Sequence, residues 1–283
     1  MLTILLEIAV VLFVAYWGLG FILYFKQPTF LYKPVRSVPY TPEEINLDFE
    51  DVGLRSEDGL RLNGWYIPVE GSEFTVLFCH GNGGNIMHRL DSINLLYELG
   101  VSCFVFDYRG YGNSQGKPSE EGTYLDAQAA YKWLTQIKKL PAEKIVILGK
   151  SLGGSIAAQL TSTVEAAGLI IESAFTSYAD IGQKFYPYMP VKWFARFSYR
   201  TIDYIREVHC PVMIIHSQND EVVPFEFGLE LYEAANEPKE FIEIFGSHND
   251  GFLYSSETYK KAWSKYLNFL HDRKARSSPH HAS

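Results

Sequence analysis

Residues 144–154 are Lys-Ile-Val-Ile-Leu-Gly-Lys-Ser-Leu-Gly-Gly, and this stretch decides the fold. The β-branched run at its start predicts a buried parallel strand, and the Ala- and Leu-rich run after Ser151 predicts a helix. Glycines two positions before and after Ser151 complete a Gly-x-Ser-x-Gly pattern, which predicts a strand-to-helix turn with no room for a Cβ. Such a turn lifts the serine hydroxyl clear of the sheet, so Ser151 is a candidate nucleophile.

Strand-like and helix-like runs alternate along most of the chain. The predicted strands are residues 47–54, 60–67, 74–79, 101–106, 145–148, 169–171, 212–216 and 241–245. The first two flank Ser-Glu-Asp-Gly and predict an antiparallel hairpin, and apolar residues at helical spacing lie between later strands. The fold class is therefore predicted to be α/β, with a mostly parallel eight-stranded sheet and helices on both faces.

Two loops that follow predicted strands supply the partners that a nucleophilic serine needs. Asp220 follows the strand at 212–216, and His248 follows the strand at 241–245. The C-terminal ends of parallel strands lie at one edge of a sheet. We therefore expect Ser151, Asp220 and His248 to meet there as nucleophile, acid and base. The order Ser, Asp, His along the chain is the one that accompanies this type of serine turn.

Two further carboxylates are alternatives for the acid. Asp220 is preferred to Glu221 because Pro224 starts a helix shortly afterwards, which suits an acid carried on a loop. Glu172 ends the strand before a long aromatic segment. There it is either an active-site neighbour, as a second acid close to His248, or a buried hydrogen-bond partner.

A glycine-rich loop, His80-Gly-Asn-Gly-Gly-Asn85, follows the strand at 74–79 and precedes a predicted helix. Glycines let a backbone approach a ligand, and a helix N-terminus presents unpaired N–H groups. The N–H groups of Asn82 and Leu152 are therefore predicted to form an oxyanion hole. A phosphate cradle is the rival interpretation, but Lys144 stands where a P-loop needs glycine. We predict no metal site and no cofactor.

Residues 2–25 contain a single charged residue, Glu7, and as a helix they would span about 36 Å, enough for a bilayer core. Aromatic residues crowd the C-terminal end of this run, as in an interfacial belt. A cleaved signal peptide is disfavoured because no basic residue precedes the run and no A-x-A site follows it. We predict a single-pass transmembrane anchor at residues 1–26.

Charge predicts the side of the membrane and excludes one class of partner. Lys26, Lys33 and Arg36 follow the apolar run, so the positive-inside rule places the domain in the cytoplasm. An exported domain is the alternative. The net charge of −8 offers no electrostatic footprint for nucleic acid. The sequence does not indicate an oligomeric state.

The rest of the chain divides into three parts. Residues 27–46 are Pro-rich and are predicted to be a non-helical connector. Residues 47–272 are predicted to be the α/β domain, with an aromatic insertion at 174–208. That insertion is either a small helical lid that walls an acyl pocket or an ordinary excursion packed on the core. Residues 273–283 are polar and are predicted to be a disordered tail.

Six motifs together carry a family resemblance. They are His80-Gly-Asn-Gly83, Asp107-Tyr-Arg-Gly-Tyr-Gly-Asn-Ser114, Gly149 to Gly153, Glu172-Ser-Ala-Phe-Thr-Ser177, Asp220-Glu-Val-Val-Pro224 and His248-Asn-Asp250. From about residue 47 to 270, the chain resembles membrane-anchored serine hydrolases of the α/β-hydrolase superfamily, in the branch with Bem46-like and related ABHD-type proteins. The resemblance implies that Asp107, Arg109 and Gly110 shape a loop beside the site and take no part in the chemistry.

Two departures from the family pattern concern the reach of His248. Gly-Ser-His at residues 246–248 replaces a longer Gly-x-Gly-His, which shortens the turn by one residue. Ser217 also stands where glycine often follows the strand-ending His216. Both changes are expected to affect how closely the histidine approaches the serine.

The resemblance implies cleavage of fatty acyl esters or thioesters, some of them on proteins. We therefore predict a membrane-anchored serine hydrolase that forms an acyl-enzyme on Ser151. Its partners would be a small-molecule or lipid acyl ester or thioester, or an acylated protein, and the lipid bilayer. A serine peptidase or amidase of the same fold and an inactive binding scaffold are the alternatives. The aromatic insertion and the anchor favour an apolar acyl group, and the complete Ser, Asp and His set argues against a scaffold.

Overall fold

The central sheet is built from the apolar runs that predict strands. The computed structural model describes residues 1–277. Its strands are β1 (Lys33–Pro34), β2 (Glu50–Arg55), β3 (Arg61–Ile67), β4 (Thr75–Cys79), β5 (Gly83–Gly84), β6 (Ser102–Phe106), β7 (Ile145–Lys150), β8 (Gly168–Glu172), β9 (Val212–Ser217) and β10 (Lys239–Ile244). Eight of them form one sheet in the order β10-β9-β8-β7-β4-β6-β3-β2, and β1 pairs with β5. In the large sheet β3 is antiparallel to β2 and β6, and the other pairs are parallel. The predicted sheet is confirmed.

Helices cover both faces of the sheet, as predicted. They are α1 (Leu2–Leu31), α2 (Leu90–Glu98), α3 (Glu120–Lys132), α4 (Leu152–Thr161), α5 (Tyr178–Phe185), α6 (Val191–Phe194), α7 (Thr201–Tyr204), α8 (Phe225–Ala234), α9 (Gly251–Tyr254) and α10 (Ser256–Ser277). Short 3₁₀ helices lie at Pro42–Ile45, Ile86–Arg89, Ala142–Lys144 and Ile205–Glu207, and a π turn at Trp133–Ile137. Strand β4 shows the two-residue alternation: Leu77 and Cys79 face the core beneath α3 and α4, and Val76 and Phe78 face the core beneath α2 and α10.

Helix α1 ends later than the predicted anchor at residues 1–26 and runs through Pro28. The predicted non-helical connector at 27–46 therefore begins inside the helix, and its prediction is wrong there. The last turn is held from outside, because the Gln27 side-chain amide donates to the carbonyl oxygen of Phe194 at 2.7 Å. This tertiary bond helps the helix to persist past a residue that removes one helical hydrogen bond. By its length and composition, α1 is able to cross a membrane.

Helix α10 enters the segment predicted to be a disordered tail. Residues 273–277 of that segment are helical, and residues 278–283 lie outside the described part of the chain. Glu73 holds this end of the helix, since its carboxylate lies 2.6 Å from Nδ1 of His271 and 3.9 Å from Nζ of Lys274. The predicted disorder is wrong for 273–277 because this stabilising partner is remote in sequence.

The connection between β8 and β9 holds three short α-helices and one 3₁₀ helix, and we call its residues 174–208 the cap. Near the two ends of the cap, Phe175 and Tyr199 are buried in the core. In its middle, Tyr188 and Trp193 expose 91% and 81% of their surfaces. Packing on the core therefore describes the two ends of the cap, and its middle is open to solvent.

Candidate active site

Ser151 lies on the turn between β7 and α4. Its φ of 55° and ψ of −121° fall in a region that residues with a Cβ rarely adopt. The turn is held because the Ser151 N–H donates to the carbonyl oxygen of Glu172 at 2.8 Å. Glycine is required at position 153, where a Cβ would overlap the carbonyl oxygen of Cys79. The structure thus contains the tight turn that the glycine pattern predicts.

The hydroxyl of Ser151 is hydrogen-bonded to His248, and His248 to Asp220. The distances are 3.0 Å from Ser151 Oγ to His248 Nε2 and 2.7 Å from His248 Nδ1 to Asp220 Oδ2. The other carboxylate oxygen accepts the N–H groups of Val222 and Val223 at 2.9 and 2.7 Å. Burial alone would raise the pKa of Asp220, but these hydrogen bonds hold it below its usual range. The structure therefore brings the three predicted residues together, with the carboxylate of Asp220 ionised.

Glu221 and His216 lie next to Ser151, His248 and Asp220 but are not part of their hydrogen-bonded chain. Glu221 Oε2 accepts the backbone N–H of His248 at 3.0 Å, so it holds the backbone of the histidine and not its ring. His216 Nε2 lies 3.6 Å from Asp220 Oδ2 and 3.0 Å from the carbonyl oxygen of Val223. Burial lowers the pKa of His216, so this imidazole is neutral and donates to that carbonyl.

The two departures from the family pattern contact each other. The hydroxyl of Ser217 donates to the carbonyl oxygen of Gly246 at 2.5 Å. On the same loop, the Ser247 N–H donates to the carboxylate of Asp250 at 2.8 Å. The end of β9 is thereby tied to the loop that carries His248, which reaches the serine despite the shorter turn.

Asn82 and Leu152, the predicted oxyanion-hole residues, lie beside the serine. Leu152 is the first residue of α4, so its N–H has no acceptor within the helix. Asn82 is clamped from three directions. Its carbonyl oxygen accepts from Tyr111 Oη at 2.8 Å and from the Lys33 N–H at 3.2 Å, and its Nδ2 donates to the carbonyl oxygen of Leu31 at 2.8 Å.

The short helix that follows the glycine-rich loop does not offer its N-terminal donors to the site. The Ile86 N–H donates to Asp107 Oδ1 at 3.0 Å, and the Met87 N–H donates to Asn85 Oδ1 at 3.0 Å. The expectation that this helix end provides free donors is therefore wrong. Asp107 instead shapes the loop, as the family resemblance implies.

The carboxylate of Glu172 is not bonded to His248. It lies 2.8 Å from Lys150 Nζ and accepts from Tyr259 Oη at 2.7 Å, and all three side chains are buried. Lys150 Nζ also donates to the carbonyl oxygen of Asn249 at 3.3 Å. Of the two alternatives for Glu172, the structure therefore matches the second, a buried hydrogen-bond partner. Lys150, which links the serine turn to the histidine loop, is not predicted from the sequence, because nothing local indicates that this lysine is buried.

Lys150→Met is expected to lower the free energy of unfolding by about 3–5 kcal/mol, because it leaves the Glu172 carboxylate buried without its counter-charge. The double variant Lys150→Met/Glu172→Gln removes both charges and is expected to recover most of that loss. Denaturant unfolding followed by circular dichroism measures both variants. A double variant as unstable as the single one would show that Lys150 acts through packing and not through charge.

A cavity of about 510 Å³ opens at Ser151 between α1 and the cap. Apolar side chains form most of its two walls, with Leu23, Phe30 and Leu31 from α1 and Phe175, Ile181, Phe185, Met189, Val191 and Phe194 from the cap. The sequence predicts the cap wall as a lid but does not predict the wall from α1. Helix α1 is apolar on all sides, so its residue pattern shows no distinct docking face.

The α/β-hydrolase fold family matches residues 75–189. An uncharacterised protein of Mycobacterium tuberculosis is 35% identical over 263 residues, which cover 92% of this chain and 93% of that protein. The protein bem46 of Schizosaccharomyces pombe is 33% identical, over 83% of this chain and 84% of its own length. The chain is a Bem46-like α/β hydrolase. Among solved structures, an esterase of Pyrococcus furiosus matches this hydrolase with a TM-score of 0.70 at 26% identity, over 84% of this chain and 97% of that chain.

The Arg109 motif of this α/β hydrolase has a structural role. Its guanidinium lies 2.7 Å from the carboxylate of Asp58 and 2.8 Å from that of Asp126. Asp126 also accepts the Arg109 N–H at 2.7 Å. These contacts fasten the loop after β6 to α3 and to the hairpin, and they leave the Arg109 guanidinium paired with carboxylates outside the Ser151, His248 and Asp220 set. They agree with the role that the family resemblance implies.

Proposed function

We propose that this α/β hydrolase is a membrane-anchored serine hydrolase that cleaves carboxylic esters or thioesters of apolar acyl groups. The observation that carries the proposal is the hydrogen-bonded row of Ser151, His248 and Asp220 at an apolar cavity. The volume of that cavity, about 510 Å³, suits a small-molecule substrate. Helix α1 would hold the enzyme in the bilayer that contains such acyl groups.

In the first half-reaction, Ser151 Oγ attacks the acyl carbonyl carbon while His248 Nε2 takes the hydroxyl proton. Asp220 stays ionised and stabilises the imidazolium through Nδ1–H. The N–H groups of Asn82 and Leu152 stabilise the negative charge on the tetrahedral oxygen. The imidazolium then gives its proton to the leaving alkoxide or thiolate, which leaves the acyl group esterified to Ser151.

In the second half-reaction, a water molecule replaces the leaving group. His248 takes a proton from this water as it attacks the acyl-enzyme, and a second tetrahedral intermediate forms. The imidazolium returns the proton to Ser151 Oγ as the bond to the acyl group breaks. The products are a carboxylic acid and the free serine.

A panel of p-nitrophenyl esters from acetate to palmitate tests this proposal, beside acyl-thioesters, a p-nitroanilide and a fluorophosphonate probe. We expect labelling by the probe and a kcat/KM that rises with acyl length. Each buried methylene adds up to about 0.8 kcal/mol of binding, or about fourfold. Absence of both labelling and turnover would support a binding scaffold. Faster cleavage of the anilide than of any ester would support an amidase.

Gly20→Ile is expected to shorten the preferred acyl chain. A Cβ added at position 20 would lie 3.3 Å from Cε of Met189 in the cavity wall, so the rest of the isoleucine side chain has to enter the cavity. Exclusion of one or two methylenes would lower kcat/KM for a long-chain ester by about four- to fifteenfold, with little effect on acetate. Gly18→Ile is the matched control, since a Cβ there meets no atom within 4 Å. An equal effect of both variants would show that α1 does not line the acyl pocket.

A further inference from the structure

One face of helix α1 is packed along the cap. Tyr16 Oη donates to the carbonyl oxygen of Tyr188 at 2.9 Å, and the rings of Trp17 and Phe194 lie 5.5 Å apart between centroids. Further along the same helix, the Gln27 side chain bonds the backbone of Phe194. The cap is therefore fixed to the C-terminal half of α1. In a membrane that α1 crosses, the cap would lie at the same depth as the part of α1 that it contacts.

The position of these contacts along α1 sets the depth of the cap. Lys26 is the first charged residue after the apolar run, so a span of about 20 residues that ends at Phe25 would fill the hydrocarbon core. Tyr16 precedes Phe25 by nine residues, or about 14 Å along the helix axis. When α1 spans the bilayer, its partner Tyr188 consequently lies below the level at which the chain leaves the hydrocarbon.

The surface of the cap has the chemistry of a membrane interface. Phe185, Tyr188 and Trp193 expose 57%, 91% and 81% of their surfaces, and such rings concentrate at membrane–water boundaries. Residues 181–200 also contain four basic residues and no Asp or Glu, in a chain whose net charge is −8. Two of the four, Lys192 and Arg200, are paired with Asp180 and Asp203 of the cap, and Lys184 and Arg196 have no such carboxylate among the ion pairs of the described residues. Basic groups near a bilayer surface attract anionic lipid headgroups.

We propose that the cap is a second membrane-docking surface, in which residues 181–200 lie in one anionic leaflet, with their basic groups at the headgroups and Tyr188 in the acyl region. It is the same leaflet that holds the C-terminal half of α1. Both walls of the catalytic cavity then lie in lipid, so an acyl chain enters from the bilayer between α1 and the cap and reaches Ser151. This inference rests on the proposed membrane anchoring by α1.

Depth-dependent fluorescence quenching of the full-length protein tests the docking. A fluorophore is attached at Tyr188→Cys on the cap, at Leu12→Cys on α1 or at Ile137→Cys, in a Cys210→Ser background that removes the partly exposed thiol. Ile137 is the matched control, because it is exposed and apolar but precedes β7 at the opposite edge of the sheet from Ser151. Each protein is reconstituted in phosphatidylcholine and phosphatidylserine vesicles with doxyl-labelled phosphatidylcholine.

We expect quenching by about twofold or more at positions 12 and 188, because both lie in the acyl region, and none at 137, which lies in water. Quenching at 12 but not at 188 would overturn the docking of the cap and leave the anchor intact. No quenching at 12 would overturn the anchor and the docking together. A probe at 188 that is shielded from aqueous iodide but not quenched by the lipid label would indicate a second copy of this chain on the cap, which also overturns the proposal.

A catalytic measurement tests the entry route. Tyr188 and Trp193 are not among the described residues that line the cavity, so Tyr188→Asp/Trp193→Asp leaves the pocket intact. Two carboxylates at the acyl boundary are expected to lower turnover of a vesicle-embedded long-chain ester by about tenfold or more. Turnover of soluble p-nitrophenyl butyrate should not change, and Ile137→Asp should affect neither substrate. Equal losses on both substrates would overturn entry from the lipid.

Discussion

Ser151→Ala is expected to abolish ester turnover, with a fall in kcat on the order of a million-fold, and to abolish labelling by a fluorophosphonate. The reason is geometric, since Ser151 Oγ is the atom that His248 Nε2 holds at 3.0 Å. Alanine keeps the Cβ and the same backbone, so the melting temperature should stay close to that of the parent. The assays are p-nitrophenyl butyrate hydrolysis, probe labelling on a gel and thermal unfolding.

Ser155→Ala is the matched control for this result. Ser155 lies one turn later on α4, is fully buried and, within the part of the chain that the structure describes, has no hydrogen-bond partner for its hydroxyl. Its removal should leave activity and stability almost unchanged. Activity of Ser151→Ala within tenfold of the parent would contradict the serine mechanism and with it the proposed function.

His248→Ala is expected to lose about as much activity as Ser151→Ala, because the two residues act as one unit. Asp220→Asn should lower kcat by about ten-thousand-fold, because an amide no longer holds the imidazole in the required tautomer. Both variants should bind substrate with little change in KM. Steady-state kinetics with one short soluble ester measure all of these effects.

Two neighbouring carboxylates provide the controls for Asp220. Glu221→Gln keeps an oxygen for the backbone N–H of His248 and should cost little. Glu172→Gln affects the pairing with Lys150 and should change stability more than kcat. A greater loss of kcat in Glu172→Gln than in Asp220→Asn would show that the acid is wrongly assigned.

The features that could be predicted from the sequence depend on local physical constraints. β-Branched runs favour strands, and the glycines around Ser151 mark a turn in which a Cβ would overlap the neighbouring backbone. Asp220 and His248 could be placed because each directly follows a strand, and parallel strands end at one edge of a sheet. Short-range pattern and sheet geometry together were thus sufficient to indicate the fold and to bring these three residues to one place.

The features that could not be predicted depend on contacts between distant segments. Nothing local shows that Lys150 is buried against Glu172, or that Gln27 is bonded to Phe194 and carries α1 past Pro28. Such contacts have a free energy that depends on where the whole chain places the partner and not on the flanking residues.

By itself, therefore, the sequence determined the sheet, the serine turn and the candidate residues around it, because each of these follows from residue type and spacing. Only the tertiary structure decided what surrounds them. It places the uniformly apolar α1 against the cap as a wall of the cavity, because burial of an apolar helix face is non-directional and leaves no period in the sequence.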